Sequence, residues 1–195
     1  MSINLLETIQ QNLGYPELQK IDPNVQLTVK SESDTNIKTF SQAAIPAVLT
    51  GLYRFVQTDE GAAEILLVKN SDSWIRKIFD AERQAVLQAV SDYCNQTDGT
   101  EVKMNAIANE AVKLVKENLA ADAGIKEVKL FFSNQKINIL LYLPPALNLG
   151  KLLQDDTLDD NTNKMEGPVS SLMQSIGSVF SSPVTEAEIK IDKPE

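Results

Sequence analysis

The chain contains no histidine and only one cysteine, Cys94. Without histidine, no imidazole can serve as a general base or a metal ligand. This excludes Ser-His-Asp and Cys-His nucleophile systems within this chain, together with the usual zinc sites. A single cysteine also excludes an intramolecular disulfide. The sequence therefore offers no recognisable catalytic constellation, and we expect neither enzymatic activity nor a cofactor.

Basic clusters and long apolar runs are also missing. Lysine and arginine number 18 against 27 aspartates and glutamates, which gives a formal net charge of −9. Such a chain repels a phosphate backbone, so we expect no nucleic-acid partner.

The sequence has no run of about 18 apolar residues, and its first residues lack the basic and apolar regions of a signal peptide. We therefore expect a cytoplasmic protein that does not span a membrane.

Apolar residues recur at intervals of three and four along most of the chain, which predicts an all-α, compact multi-helix bundle. The pattern predicts helices over 3–13, 40–56, 60–68, 71–93 and 104–119. Two features locate helix ends: Pro46 is expected in a first turn or at a kink, and Thr58 or Asp59 is expected to cap the third helix. The polar, turn-rich residues 14–38 predict a loop.

The polar run CNQTDGTE at residues 94–101 interrupts this periodicity and is the best candidate for a domain boundary. It predicts an N-terminal helical unit over 1–96, a C-terminal helical unit over 97–182 and a flexible tail over 183–195. The alternative is one continuous helical domain.

The stretch IKEVKLFFSNQKINILLYLPP, residues 125–145, is compatible with two structures. Alternating apolar residues fit a hairpin over 126–143, which would make the fold α+β. Helical spacing instead groups six apolar residues on one face and ends the helix at the prolines: Ile125, Val128, Phe132, Ile139, Tyr142 and Leu143. We favour the helix, because an isolated two-stranded hairpin is only marginally stable.

The stretch QAAIPAVLTGLYRFVQTDEGAAEILL, residues 42–67, resembles the YidB-like family of bacterial domains of unknown function. The resemblance consists of the alanine-rich Pro46-Ala47-Val48-Leu49, then Gly51, then Glu60-Gly61-Ala62-Ala63 before an apolar run. It implies a small bacterial helical domain, and it implies no activity.

The acidic stretch LLQDDTLDDNTNKMEG, residues 152–167, is the candidate metal site. Asp155, Asp156 and Asp159 resemble the aspartate-rich motif of isoprenoid diphosphate synthases, in which carboxylates one helical turn apart hold Mg²⁺ against a diphosphate. The second aspartate motif and the arginine pair of that family are missing. A calcium loop starting at Asp155 fits less well, because Asp160 replaces the glycine needed for its turn. The favoured interpretation is a solvated loop that caps the following helix.

The stretch GPVSSLMQSIGSVFSSP, residues 167–183, predicts an amphipathic helix whose polar face is uncharged. Its apolar stripe is the candidate interface: Val169, Leu172, Met173, Ile176, Val179 and Phe180. Three roles remain open for this stripe, namely the protein's own core, a contact with a protein partner or a second copy, and attachment to a membrane surface.

The leading functional hypothesis is a non-catalytic protein-interaction or oligomerisation module, because amphipathic helices dominate the chain and catalytic groups are missing. One alternative is a Mg²⁺-dependent diphosphate-binding enzyme or sensor that uses Asp155, Asp156 and Asp159. The other is a peripheral membrane-surface protein that attaches through residues 167–182.

Overall fold

The structure is a computed structural model that describes residues 3–21, 36–68, 70–96 and 98–155. The chain divides into two units, Met1–Asn161 and Thr162–Glu195, and every described residue belongs to the first. The candidate interface residues Val169, Leu172, Met173, Ile176, Val179 and Phe180 lie outside the described residues, as do Asp156 and Asp159.

The described part of the chain is built from helices and contains no strand, which confirms the predicted all-α fold. The α-helices are α1 (Leu5–Asn12), α2 (Asn36–Phe55), α3 (Asp59–Leu67), α4 (Trp74–Phe79), α5 (Arg83–Cys94), α6 (Thr100–Asn118), α7 (Ile125–Leu140) and α8 (Leu149–Leu152). Two 3₁₀ turns, Asp80–Glu82 and Pro145–Leu147, precede α5 and α8.

Helix α2 forms the centre of the fold. Every residue from Phe40 to Leu52 is buried, and α2 packs against α1, α4, α5, α6 and α7. A helix that is apolar on all sides has no face to present to water, so it is stable only when other helices surround it. The surrounding helices come from both sides of residues 94–101 and contribute to one hydrophobic core. The predicted division into units at residues 96 and 97 stays a prediction.

Small residues let the neighbours of α2 approach closely. A side chain on Gly51 would place its Cβ 2.5 Å from the ring of Phe79, which is fully buried on α4.

Pro46 lies inside α2 and not in its first turn. Because proline has no N–H, the Gln42 carbonyl receives no helical hydrogen bond from residue 46.

The segment from Trp74 to Tyr93 is not one helix, and that prediction is wrong. The chain breaks at Asp80, whose φ of 40° and ψ of −112° are incompatible with a helix. The Ser73 side chain does not cap α4. Instead, Asn105 on α6 accepts the Ile75 N–H through Oδ1 at 3.0 Å, so α6 supplies a partner for a backbone group in the first turn of α4.

Residues 125–140 form helix α7, so the preferred prediction is confirmed and the hairpin alternative is wrong. The side chains that α7 turns inward are Val128, Phe132, Gln135 and Ile139. Three of them belong to the face that helical spacing predicts. The surrounding helices explain the outcome, because α7 packs against α1, α2 and α3 and no strand in the described residues could extend a hairpin.

Three side-chain amides, the amide clamps Gln42, Asn109 and Gln135, each bind both the N–H and the C=O of a neighbouring chain segment. Gln135 Oε1 accepts the Leu5 N–H at 3.1 Å, and its Nε2 donates to the Ile3 carbonyl at 2.9 Å. Gln42 binds both backbone groups of Gln19 in the same way, at 2.8 and 3.0 Å.

The third amide clamp, Asn109, binds the N–H and carbonyl of Ser71 at 2.9 and 3.0 Å. It also accepts the Trp74 indole N–H at 3.1 Å. The Gln135 and Asn109 clamps thereby pair backbone groups at or just before the starts of α1 and α4. A backbone group buried there without a partner would cost about 1–3 kcal/mol.

Replacing Gly61 with alanine tests the packing between α2 and α3. A Cβ on Gly61 would lie 2.0 Å from the Phe55 carbonyl oxygen. We expect Gly61→Ala to lower the free energy of unfolding by about 2–3 kcal/mol, even though alanine favours helix formation by about 1 kcal/mol. Urea titration followed by circular dichroism measures this change. Gly124→Ala is the control, because its Cβ would meet nothing closer than 3.4 Å, and an equal loss in both variants would contradict the clash.

Replacing Gln135 with glutamate tests the amide clamp on α1. Gln135 is 2% exposed, so burial disfavours a charged carboxylate and raises its pKa above the unfolded value of about 4.3. A protonated carboxyl can still accept from Leu5 and donate to Ile3. We therefore expect Gln135→Glu to cost about 3 kcal/mol at pH 7 and progressively less as the pH falls below the folded-state pKa.

The measurement is the difference in melting temperature between Gln135→Glu and the wild type from pH 7 to pH 4. Gln11→Glu adds the same charge at an exposed position of α1 and controls for net charge. If the difference in melting temperature between Gln135→Glu and the wild type stays constant from pH 7 to pH 4, the Gln135 amide is not buried against α1.

Candidate functional site

The residues that the structure describes do not assemble a metal-binding cluster. No set of three or more aspartates, glutamates, cysteines or histidines within residues 3–21, 36–68, 70–96 and 98–155 is placed to hold a metal ion. Of the predicted metal ligands only Asp155 is described, and its backbone N–H donates to the Gly150 carbonyl at 2.8 Å just after α8. The metal hypothesis stays a prediction.

Cys94 is not placed to act as a nucleophile. Its side chain is buried at the end of α5, and its thiol donates to the carbonyls of Ser91 and Gln96, each at 3.6 Å. Burial raises the pKa of the Cys94 thiol, so the reactive thiolate is disfavoured at neutral pH.

A cleft of about 470 Å³ lies between α1 and the residues that follow α7. Tyr142 forms part of its wall, and the pKa of the Tyr142 hydroxyl is raised by burial first and by the nearby Glu7 carboxylate second. Glu7 and Glu17 line the cleft but are exposed. Water therefore screens both carboxylates, and the cleft has no buried charged group that would select a ligand.

The outward surface of α7 carries an exposed apolar stripe, the α7 stripe, formed by Leu130, Ile137 and Leu141. These residues are 61%, 67% and 40% exposed. The spacing of seven and four residues places them on one line along the helix, opposite the inward side chains of Phe132 and Ile139.

The α7 stripe is uncharged along its length. The other exposed residues between its two ends are Ser133 and Asn134. Two of the three lysines of α7 lie beside the stripe and have partners on other helices: Lys129 Nζ is 2.7 Å from Asp59 Oδ1, and Lys136 Nζ lies 5.7 Å from the centre of the Tyr53 ring. The exposed surface therefore combines three apolar side chains with two uncharged polar ones at its middle, and lysines border it along one edge.

Contacts at both ends hold α7 in place. At the N-terminus, the Gly124 N–H donates to Glu127 Oε2 at 2.8 Å and closes the first turn. Near the middle, the Gln135 amide clamp attaches α7 to α1. After the C-terminus, the Leu141 carbonyl accepts the Ile21 N–H at 2.8 Å, and the Tyr142 carbonyl accepts Gln42 Nε2 at 3.0 Å. The α7 stripe thus lies on a helix whose orientation is fixed.

The α7 stripe is not among the predicted sites, although its residues are visible in the sequence pattern. The helical pattern placed Val128, Phe132 and Ile139 on the inward face, which left Leu130, Ile137 and Leu141 on the opposite side. Several apolar residues aligned on the side opposite the core indicate an exposed patch of the kind found at interaction sites. The interface predicted from the sequence lies instead at Val169–Phe180.

Comparison of the chain with protein-family models, with curated proteins and with solved structures yields no match. Its YidB-like resemblance therefore rests on residues 42–67 alone. Within the described residues, no helix combines the length and apolar character needed to cross a membrane.

A hydrogen bond in the first turn of α7 should make the stability of the folded protein depend on pH. The hydrogen bond from the Gly124 N–H, followed by the Glu127 backbone N–H, lowers the pKa of the exposed Glu127 carboxyl. Because its pKa is lower in the folded state, Glu127 stabilises the protein at pH values above its unfolded-state pKa of about 4.3. This stabilisation disappears as the pH falls through the folded-state pKa.

We therefore expect Glu127→Gln to melt at a lower temperature than the wild type at pH 7 and at nearly the same temperature at pH 3. Thermal denaturation at both pH values measures the difference. Glu117→Gln, an exposed position on α6, makes the same change in charge. An equal response of the two variants would contradict the capping role of Glu127.

Proposed function

We propose that this protein is a non-catalytic, cytoplasmic interaction module of a YidB-like bacterial family, and that the α7 stripe is its binding surface. The family assignment is supported by the sequence of residues 42–67. The binding surface is supported by one observation, the row of exposed apolar side chains on a helix whose opposite face is already packed.

Packing of the described core does not require the apolar residues of the α7 stripe. Val128, Phe132 and Ile139 already pack α7 inward, so the outward apolar residues contribute nothing to the described core. Each large apolar side chain left in water forgoes about 1.5–3 kcal/mol of burial energy. Three such residues in one line, without intervening charge, gain that energy when another surface covers them.

The mode of binding that fits this surface is helix packing. Apolar residues spaced by seven and four present a ridge that a second helix can cover. The diphosphate alternative depends on Asp155, Asp156 and Asp159, of which only Asp155 is described, and it stays a prediction. The membrane alternative depends on residues 167–182, which lie outside the described part of the chain, and it also stays a prediction.

Photo-crosslinking tests the proposed function. A photoreactive phenylalanine analogue at Ile137 is expected to give a covalent adduct with a protein in the native cell, because this side chain lies in the proposed contact. The same analogue at Val102, which is 74% exposed on α6, is expected to give none. Leu130→Asp in the same chain should remove the adduct at Ile137.

An absence of any adduct at Ile137, or an adduct that Leu130→Asp leaves unchanged, would contradict the proposed function. Because Ile137 and Leu130 point outward, both substituted chains should keep the melting temperature of the wild type to within a few degrees, which corresponds to about 0.5 kcal/mol. That measurement separates loss of binding from loss of folding.

A further inference from the structure

We propose that the turn between α5 and α6 is a site of spontaneous covalent modification, at which the peptide bond between Asp98 and Gly99 moves onto the Asp98 side chain. The product is an isoaspartyl linkage, in which the main chain runs through the side-chain carbons of Asp98. This inference is independent of the α7 stripe. It rests on the exposure of the turn, on the free N–H of Gly99 and on the contrast with other asparagine and aspartate residues.

The reaction needs only the two residues and water. The Gly99 nitrogen bonds to Cγ of Asp98, and a carboxyl oxygen leaves as water with its own proton and the proton of the Gly99 N–H. The resulting five-membered succinimide ring then takes up one water molecule at the main-chain carbonyl of Asp98. The bond from that carbonyl to the Gly99 nitrogen breaks, the nitrogen regains a proton, and a new carboxylate remains on Cα. One water is lost and one is gained, so the composition of the chain does not change.

The structure leaves the reacting residues accessible. Asp98 and Gly99 are both exposed, and this is the one place in the sequence where an aspartate or asparagine precedes glycine. Gly99 has a φ of 73°, a left-handed conformation that glycine adopts readily. A Cβ on Gly99 would meet nothing closer than the Lys103 side chain at 3.9 Å. No side chain therefore hinders the approach of the Gly99 nitrogen to Asp98 from that side.

The Gly99 N–H is also free to react. Gly99 is the N-cap residue of α6, and the first N–H groups of a helix have no partner within it. Among the residues that the structure describes, none accepts the Gly99 N–H. The nitrogen that must attack the Asp98 carboxyl is therefore not held by a hydrogen bond.

Other sites of the same chemistry are protected by hydrogen bonds. The nitrogen that follows Asn70 belongs to Ser71, and its N–H donates to the Asn109 amide clamp at 2.9 Å. The N–H that follows Asn95 donates to a main-chain carbonyl at 3.1 Å. A hydrogen-bonded N–H becomes available only when the structure opens locally. The fold therefore slows the reaction at these residues, whereas it leaves Asp98 free to react.

The modification should weaken the junction of α5 and α6. Thr100, the first residue of α6, is buried. Its hydroxyl donates to the Gln96 carbonyl at 3.2 Å and lies 3.1 Å from Ser91 Oγ. These contacts hold both ends of the turn, and an isoaspartyl linkage lengthens the main chain between them by one carbon atom.

We therefore expect the isoaspartyl form to melt about 2–4 °C below the unmodified form, the shift that loss of about one net hydrogen bond causes in a chain of this size. Thermal denaturation of the two forms, after their separation by chromatography, measures this shift.

Ageing of the full chain tests the inference. Samples are kept at neutral pH for several weeks, either in buffer or in concentrated urea. Isoaspartate is then measured by enzymatic methylation of its carboxylate and located by mass spectrometry of peptides. We expect Asp98 in the folded chain to react at no less than about a tenth of its rate in urea, because no hydrogen bond must open first. A lower rate in the folded chain would show that the turn is protected and would overturn the inference.

Asp98→Glu is the matched control for the position of the modification. It keeps the charge, but its side chain would have to close a six-membered ring, which forms much more slowly. The methylation of the aged chain should therefore fall to background. Methylation equal to that of the wild type would place the modification elsewhere and overturn the inference.

Asp98→Asn compares two asparagines within one folded chain. Asparagine closes the same ring with loss of ammonia, so deamidation can be measured both at position 98 and at Asn70. The deamidation rate in buffer is divided by the rate in urea at each position. We expect this ratio to be about tenfold or more higher at position 98, because the hydrogen bond from Ser71 to Asn109 must open before Asn70 can react. Equal ratios at the two positions would contradict the role of the free Gly99 N–H and overturn the inference.

Discussion

The burial of α2 from Phe40 to Leu52 is the constraint on which the rest of the structure depends. Because α2 is enclosed from Phe40 to Leu52, each helix around it must direct an apolar face inward. A surrounding helix of ordinary composition uses its apolar residues for that purpose and shows polar residues to water. Helix α7 satisfies the same requirement with Val128, Phe132 and Ile139, and it has apolar residues left over on its outer side.

The amide clamps provide hydrogen-bond partners for backbone groups that lie outside or at the ends of helices. Backbone groups at helix ends have no partners within their own helix, and burying them without hydrogen bonds is costly. Gln42, Asn109 and Gln135 each supply a donor and an acceptor from the side of a helix. Two of the three also determine where α7 lies, since Gln135 binds the start of α1 and Gln42 binds the carbonyl of Tyr142. The clamps therefore link the core to the orientation of the α7 stripe.

Most helices could be predicted from the sequence, but the long-range contacts between them could not. Apolar spacing correctly predicted helices at the positions of α1, α2, α3 and α6, and the local cap at Thr58 is confirmed by its 3.0 Å bond from the Gly61 N–H. The break at Asp80 was not predicted, because the apolar pattern continues across it. Aspartate adopts a positive φ more often than most residues, but a single aspartate does not by itself indicate one. The amide clamps were equally hidden, since Gln135 and Leu5 are far apart in sequence and a glutamine in a helix normally faces water. The α7 stripe was visible in principle, but only after the hairpin alternative was removed.

The central claim is that α7 is a fixed helix whose apolar stripe faces outward in the folded chain. Carbene footprinting of dilute, monomeric protein tests this claim most directly, because the reagent labels apolar side chains according to their exposure. The account predicts strong labelling at Leu130 and Ile137 and almost none at Phe132 and Ile139. Labelling of Phe132 or Ile139 in the folded monomer, or protection of Leu130 and Ile137, would contradict it.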